Sequence, residues 1–174
     1  MNQQDFFSKY SNFATASAQG SGISPLLILS QAFLESGGAN STLSNKYYNF
    51  FGIKADPSWA GKKILLPTKE EDKTGKVSTV NQYFRVYTSP AESFSDHIKF
   101  LKSNPRYQKS GLFSYPDNFL KQADTLQTAG YATDINYATK LKNISTNFSK
   151  YLKPTSIALP LILVGFFIFW KLNT

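Results

Sequence analysis

QAFLESGGANSTLSNKYYNFFGIK, residues 31–54, contains the feature from which the fold of this chain can be worked out. An apolar helical pattern ends there at one carboxylate, Glu35, and two glycines follow after a serine. Ile28, Ala32 and Glu35 are spaced by four and three residues, so they share one helical face and the carboxylate continues an apolar stripe. The glycines predict the end of the helix, with room for a ligand beside the carboxylate.

The position of Glu35 predicts an unusual acidity. In the last turn of a helix the helix dipole disfavours a negative charge, and an apolar surrounding disfavours it further. Both effects raise the pKa of a carboxyl group, and a general acid that works near neutral pH needs such a rise. The alternative interpretation is an exposed side chain in front of a glycine cap, and placement alone leaves both open.

Composition excludes several kinds of chemistry. The chain has 174 residues, which suits about one domain, and it contains no cysteine and a single histidine, His97. Thiolate nucleophiles, disulfides and sites with several histidine ligands are therefore excluded, and we expect neither metal nor cofactor. The net charge of +8 favours a polyanionic neighbour. The lysines form no run of five, so we do not expect a nucleic-acid partner.

Periodicity and turn residues predict helices, one β-hairpin and further helices, an α+β plan. Ser24-Pro25 is a helix start, and Ser89-Pro90-Ala91-Glu92 has the spacing of a capping box. His97 lies beside the apolar stripe of the helix after that box, which indicates a structural role. The predicted segments are a helix over 2–19, a helix from 24 to 37, an extended region over 62–87 with a turn at 72–75, a helix from 89, a helix over about 117–130 and a helix from about 133.

The C-terminus has a different composition. Residues 154–170 carry no charge, and Lys153 and Lys171 bracket them. An uncharged run of about 17 residues is the short limit for a membrane-spanning helix, and Trp170 suits a membrane interface. We expect a transmembrane helix over 154–172, with a buried C-terminal helix as the alternative. The N-terminus lacks the basic start and apolar run of a signal peptide.

Five motifs occur in one order along the chain, and together they resemble the glucosaminidase family of peptidoglycan hydrolases. The motifs are QAFLESGG, NFFGIK, FRVYTSPAES, NPRY and LQTAGYATDINYATKL. The resemblance covers roughly residues 24–148. It implies a lysozyme-like fold, with a mainly helical lobe and a small β-hairpin lobe beside a glycan groove. It also implies a hydrolase domain over 1–150, followed by the expected anchor over 154–172.

The resemblance implies two catalytic carboxylates. Glu35 matches the glutamate of the family's L-E-S-G segment, which is its general acid. The second family carboxylate lies in a T-x-E segment of the hairpin, matched by Thr68-Lys69-Glu70. Glu70 is therefore the expected second catalytic residue, while Asp72 and then Glu71 are the alternatives.

The resemblance also implies a set of substrate-binding residues. The NFFGIK segment matches the groove floor, where amide and backbone groups bind an N-acetyl group, and tyrosines suit the C–H faces of sugars. For Phe51 and Tyr137 a role in the core is an equal alternative. The expected substrate-binding residues are Asn49, Phe51, Gly52, Tyr131 and Tyr137.

The implied function is hydrolysis of β-1,4 glycosidic bonds in peptidoglycan, of the endo-β-N-acetylglucosaminidase type. A lytic transglycosylase and a non-catalytic, glycan-binding structural membrane protein are the alternatives. The expected partners are glycan strands and, through the C-terminal helix, a lipid bilayer. An anchored chain without a signal peptide suggests a bacteriophage enzyme of the virion or the host membrane. Oligomeric state is not predicted.

Overall fold

The computed structural model describes residues 1–71, 77–116 and 118–146, with the backbone but not the side chains of residues 70 and 71. Helices form one lobe and a two-stranded hairpin forms the other. The elements are α1 (Gln3–Ala18), α2 (Pro25–Glu35), α3 (Thr42–Tyr47), β1 (Lys63–Glu71), β2 (Val77–Arg85), α4 (Pro90–Ser103), α5 (Pro105–Lys109), a 3₁₀ turn (Leu112–Ser114), α6 (Phe119–Thr128) and α7 (Tyr137–Thr146). The predicted α+β plan is confirmed.

Aromatic side chains fill the core between α1, α4 and the segment after α3. Phe6 and Tyr10 of α1 have ring centroids 4.6 Å apart, and Phe50 lies 4.8 Å from Tyr10 and 5.6 Å from Phe94 of α4. Phe6, Phe50 and Phe94 are almost fully buried. Tilted and edge-on aromatic pairs contribute about 0.5–1.5 kcal/mol each beyond their burial. This cluster fixes residue 50, and with it the start of the loop that reaches the candidate site.

The predicted capping residues begin α4. Ser89 Oγ accepts a hydrogen bond from the backbone N–H of Glu92 at 3.2 Å. The Glu92 carboxylate returns to the backbone N–H of Thr88 at 2.7 Å, one residue earlier than in a standard capping box. These bonds satisfy N–H groups that no helical carbonyl can reach, so the sequence motif and the observed helix start agree.

The hairpin is regular, and its root joins it to the helical lobe. The pairing of β1 with β2 is antiparallel and runs from Lys63 with Arg85 to Glu71 with Val77. The residues before β1 continue the ladder, because the Arg85 N–H donates to the Ile53 carbonyl oxygen at 3.0 Å. The hairpin is therefore attached through the segment that follows the NFFG motif.

An arginine clamp at the hairpin root fastens the two lobes. Arg85 donates from Nη1 to Asp96 of α4 at 2.8 Å and from Nη2 to Asp56 at 2.9 Å. Its guanidinium also lies 4.4 Å from the ring centre of Trp59. The hydroxyl of Tyr87 donates to the same Asp96 oxygen at 2.7 Å. Binding two carboxylates while stacking on a ring needs the planar fork of arginine.

The membrane part of the predicted fold class is corrected. Among the residues that the structure describes, none of the helices has both the length and the apolar character needed to cross a bilayer. Residues 154–172, to which the expectation applied, lie outside the described residues. The fold class is therefore corrected to its α+β part, because no described helix provides the transmembrane element that the prediction added. The membrane localisation, the bilayer partner and the virion hypothesis, which rested on that helix, are not retained.

Candidate active site

Glu35 opens into a cleft of about 480 Å³ between the end of α2, the segment after α3 and the start of α5. We name it the Glu35 cleft. Its lining combines carboxylates, basic groups and aromatic rings, and consists of Glu35, Phe51, Gly52, Ile53, Lys54, Asp56, Phe100, Arg106, Tyr107 and Tyr131. A larger groove of about 690 Å³ lies at the C-terminal end of α1, but its described lining contains no titratable side chain. The Glu35 cleft is therefore the candidate active site.

The chain turns sharply after Glu35. Ser36 Oγ donates to the Ala32 carbonyl oxygen at 2.6 Å and accepts from the Ala39 N–H at 2.8 Å, which closes the end of α2. Gly38 has a φ of +68°, and a Cβ at this position would lie 2.7 Å from the backbone oxygen of Met1. Only glycine fits both constraints without strain, so the predicted helix end after Glu35 is confirmed with its physical reason.

The Glu35 carboxyl group is crowded although the residue as a whole is exposed. Part of the side chain faces solvent at the mouth of the cleft, while Tyr137 and Tyr131 surround the carboxyl group. This burial raises the pKa of Glu35, and a hydrogen bond from the Tyr137 hydroxyl to Oε1, at 2.7 Å, partly opposes the rise. The direction predicted from the sequence is confirmed, with loss of hydration as the main cause.

Tyr131 and Tyr137 lie at different positions relative to the Glu35 cleft. Tyr131 lines the Glu35 cleft, and burial raises the pKa of its hydroxyl well above the ordinary range. Tyr137 stacks behind it at a centroid distance of 5.4 Å and is only 3% exposed. Tyr137 therefore contacts the Glu35 carboxylate and is not among the residues that line the cleft. This position favours the alternative of a role in the core over a direct contact with sugar.

Phe51 and Gly52 of the NFFG segment line the Glu35 cleft. Asn49 does not line it and is 1% exposed. The Asn49 amide donates to the carbonyl oxygens of Ile53 and Arg85 at 3.0 and 2.9 Å, and its oxygen accepts from the Ile53 N–H at 3.0 Å. All of these contacts are to backbone, so Asn49 supports this segment and the hairpin root. Its predicted contact with substrate is corrected accordingly.

Asp56 is a cleft carboxylate that the sequence analysis missed. Hydrogen bonds from Ser58, and then from Arg85, lower the pKa of Asp56 to about 2. The cleft thus contains one carboxyl group with a raised pKa and one that stays ionised. Ser58 is a local partner of Asp56, but the ion pair with Arg85 joins residues that lie 29 positions apart, and no local pattern reports it. Arg106 was also missed, although it belongs to the quoted NPRY motif.

The expected second carboxylate, Glu70, belongs to β1. Its backbone pairs with Ser78 in the part of the hairpin far from the root. The structure describes neither the Glu70 side chain nor any part of Asp72. Within the described ranges, no group of three or more histidine and carboxylate side chains is placed to hold a metal ion.

Comparison with known families and proteins shows the family of this chain. Residues 11–150 match the Glucosaminidase family model, described as mannosyl-glycoprotein endo-beta-N-acetylglucosaminidase. The chain is 38% identical to the peptidoglycan hydrolase FlgJ of Salmonella typhimurium, over 81% of this chain and 45% of FlgJ. It is 33% identical to the exo-glucosaminidase LytG of Bacillus subtilis, over 82% of this chain and 50% of LytG. The chain thus spans about half the length of the curated relatives it matches.

Solved structures share the fold. The catalytic domain of the autolysin Auto from Listeria monocytogenes superposes with a TM-score of 0.73 at 31% identity, covering 86% of each chain. The glycoside hydrolase domain of Salmonella typhimurium FlgJ superposes with a TM-score of 0.67 at 35% identity, covering 84% of this chain and 88% of that one.

Proposed function

The chain belongs to the glucosaminidase family, and from that membership we propose that it is a hydrolase of peptidoglycan that cleaves β-1,4 glycosidic bonds of the glycan strand. The specificity we propose is that of an endo-β-N-acetylglucosaminidase. The hydrolase domain would extend over residues 1–150, close to the 11–150 that match the family model. The single observation that carries the proposal is the Glu35 carboxyl group, which lies in a cleft and has a raised pKa.

Glu35 is the general acid in this proposal. Cleavage of a glycosidic bond needs a proton on the leaving oxygen, and a carboxyl group provides it only while it is protonated. Burial keeps the Glu35 carboxyl protonated at higher pH than an exposed glutamate. The Tyr137 hydroxyl occupies Oε1, so Oε2 is left to carry the proton. The result is a single acidic oxygen held at one place in the cleft.

Glu70 is the proposed second carboxylate, on the basis of its place in the Thr68-Lys69-Glu70 segment. It would orient the attacking water or stabilise the positive charge that develops on the sugar. Glu71 and Asp72 are the alternatives from the sequence. Asp56 is a further alternative, because it is the ionised carboxylate among the described residues of the cleft. Separate Glu70→Gln, Glu71→Gln, Asp72→Asn and Asp56→Asn variants would identify the residue by the largest loss of kcat.

Phe51, Gly52 and Tyr131 are the proposed substrate contacts. They line the cleft, and aromatic rings pack well against the C–H faces of sugars. Gly52 has a φ of +62° and brings backbone close to the cleft without a side chain, which suits recognition of an N-acetyl group by backbone N–H and C=O groups.

The products test the proposed specificity. Purified peptidoglycan would be digested with the protein, and the fragments would be reduced and analysed by mass spectrometry. Glycan oligomers with N-acetylglucosamine at the reducing end are expected. A muramic acid at the reducing end would mean a muramidase, and a 1,6-anhydro end would mean a lytic transglycosylase. Binding without any cleavage would mean a non-catalytic glycan-binding protein. A digest with Glu35→Gln serves as the blank.

A further inference from the structure

Three buried polar side chains form a hydrogen-bonded chain that ends at Glu35. His97 Nε2 lies 3.1 Å from Oε1 of Gln31, and Gln31 Nε2 donates to the Tyr137 hydroxyl oxygen at 3.1 Å. The Tyr137 hydroxyl then donates to Oε1 of Glu35 at 2.7 Å. His97 and Gln31 are fully buried and Tyr137 is 3% exposed. The chain joins α4, α2 and α7, three elements that are distant in the sequence.

The chemistry of the side chains fixes which atom donates in each of these hydrogen bonds. The Nε2 of a glutamine side chain can only donate, so the Tyr137 oxygen accepts from Gln31 and must give its one proton to Glu35. The Gln31 oxygen can only accept, so His97 must carry its proton on Nε2. With the proton on Nε2, His97 donates to the Gln31 oxygen, which leaves the Gln31 Nε2 to donate to the Tyr137 oxygen.

The histidine is held neutral and immobile. Burial lowers the pKa of His97 to about 3, so the ring is uncharged at neutral pH. Its ring stacks on Phe51 with centroids 3.8 Å apart and planes within 4°. Nδ1 of His97 has no hydrogen-bond partner among the described residues, which agrees with a ring whose one proton is on Nε2. A buried polar group is retained at such a cost when its bonds specify one arrangement.

We propose that Gln31 and His97 are positioning residues, which hold the Tyr137 hydroxyl as a donor to Oε1 of Glu35 and so reserve Oε2 for the catalytic proton. This role rests on the proposed function of Glu35. Neither residue reaches the cleft lining, so neither touches substrate. Removing either one frees the Tyr137 hydroxyl to rotate, and Glu35 loses both a fixed orientation and a bond that favours its ionised form.

Other charged and titratable groups near Glu35 stay unchanged in such a test. Tyr131 faces Glu35 from the loop before α7, and Arg106 of α5 lines the same cleft. Lys54 and Asp56 line its other wall. The variants below leave all four residues in place. A change in the titration of Glu35 therefore reports on the buried hydrogen bonds of His97, Gln31 and Tyr137.

The chain offers a matched control for Gln31. Gln122 is also fully buried, and its amide bonds to backbone groups of Ser24, Gly22 and Leu112 rather than to a catalytic residue. Methionine has nearly the volume of glutamine and lacks the amide. Gln31→Met and Gln122→Met therefore remove the same groups from equally buried positions, and both should lower stability.

The test compares the pH profile of kcat/KM on peptidoglycan for the unchanged protein and three variants, Gln31→Met, His97→Phe and Gln122→Met. In Gln31→Met we expect the alkaline limb to move to higher pH and kcat to fall by roughly tenfold, because the acid is less well oriented. In His97→Phe, which keeps the stacked ring but lacks the donor, we expect a smaller shift in the same direction. Gln122→Met should leave the limb in place. Equal profiles for Gln31→Met and Gln122→Met would overturn the proposal.

A direct titration separates this proposal from the proposed function. The carboxyl carbon of Glu35 would be followed by ¹³C NMR against pH in the full chain and in Gln31→Met. We expect the pKa of Glu35 to be higher in Gln31→Met whether or not the protein digests peptidoglycan. An inactive protein with this shift would contradict the proposed function alone. If the protein is active and Glu35 titrates identically in the unchanged protein and in Gln31→Met, the positioning role alone would be contradicted.

Discussion

The hydroxyl group of Tyr137 lies 2.7 Å from Oε1 of Glu35, and the two residues are 102 positions apart in the sequence. Burial raises the pKa of the Glu35 carboxyl group, and this hydrogen bond opposes the rise. The two effects therefore act in opposite directions on the pKa of the proposed general acid. Most of the behaviour that we expect of the protein follows from this balance.

Replacing Tyr137 by phenylalanine should raise the pKa of Glu35. The lost hydrogen bond stabilised the ionised form, so its removal leaves burial unopposed, and the alkaline limb of kcat/KM should move to higher pH. The measurement is a pH–rate profile on peptidoglycan. Tyr10→Phe is the control, because Tyr10 is a buried tyrosine of the aromatic core and does not line the Glu35 cleft. A Tyr137→Phe profile that moves to lower pH, or not at all, would contradict this account of the bond.

Glu35→Gln should stabilise the fold at neutral pH. A carboxyl group whose pKa is higher in the folded chain than in the unfolded chain binds more protons when folded. Stability is therefore lost as the pH rises from the unfolded pKa through the folded pKa. Glutamine carries no charge to bury, so the variant escapes this loss. Thermal unfolding should give a higher Tm for Glu35→Gln at pH 7 and nearly equal values below pH 4.

Glu92 provides a control of opposite sign for that measurement. Hydrogen bonds from Thr88 lower the pKa of Glu92, so its ionised form stabilises the folded chain above the unfolded pKa, and this contribution is lost as the pH falls through the folded pKa. Glu92→Gln should therefore lower Tm at pH 7. A lower Tm for both variants at pH 7 would mean that the Glu35 site does not destabilise the fold.

Arg85→Met should destabilise the chain by about 3 kcal/mol, because it leaves the buried Asp96 carboxylate without its ion pair and frees the hairpin root. Urea unfolding at pH 7 gives the free energy directly. Lys142→Met is the control, since the ion pair of Lys142 with Asp124 lies at the surface and is worth less than about 1 kcal/mol. Similar losses in the two variants would show that the clamp does not join the lobes.

The long helices and the hairpin could be predicted from the sequence, whereas the short helices could not. α2 and α4 begin at serine–proline pairs and continue with helical periodicity, so local signals sufficed. α3 and α5 have six and five residues, which is too short for a periodic pattern. Their N-caps, Ser41 and Asn104, bond to backbone N–H groups within the helix. Helices this short depend on tertiary packing rather than on propensity.

The start of α7 shows how a local turn overrides periodicity. The prediction began this helix near Thr133, but the structure begins it at Tyr137. Asp134 accepts from the Asn136 N–H with its side chain and from the Tyr137 N–H with its carbonyl oxygen, at 2.8 and 3.1 Å. An aspartate that bonds to the backbone two residues later forms an Asx turn, which competes with helix.

The same distinction applies to the candidate site: a residue marked by a local pattern could be predicted, and residues held by distant contacts could not. Glu35 could be found because three residues of one helix mark its face. Gln31 stood in the same quoted motif, one turn earlier, but its partners His97 and Tyr137 lie 66 and 106 positions away. Contacts of this separation arise from the packing of whole elements, and a single sequence has no local pattern that reports them.

The most direct measurement is the rate at which Glu35→Gln releases soluble fragments from purified peptidoglycan, compared with the unchanged chain and with Glu92→Gln. Removing an essential proton donor commonly costs on the order of 10²–10⁴-fold in rate. We predict a loss in that range for Glu35→Gln, with the fold retained by circular dichroism, and a rate near that of the unchanged chain for Glu92→Gln. A folded Glu35→Gln variant that digests peptidoglycan at a rate close to the unchanged chain would contradict the role of Glu35 as general acid.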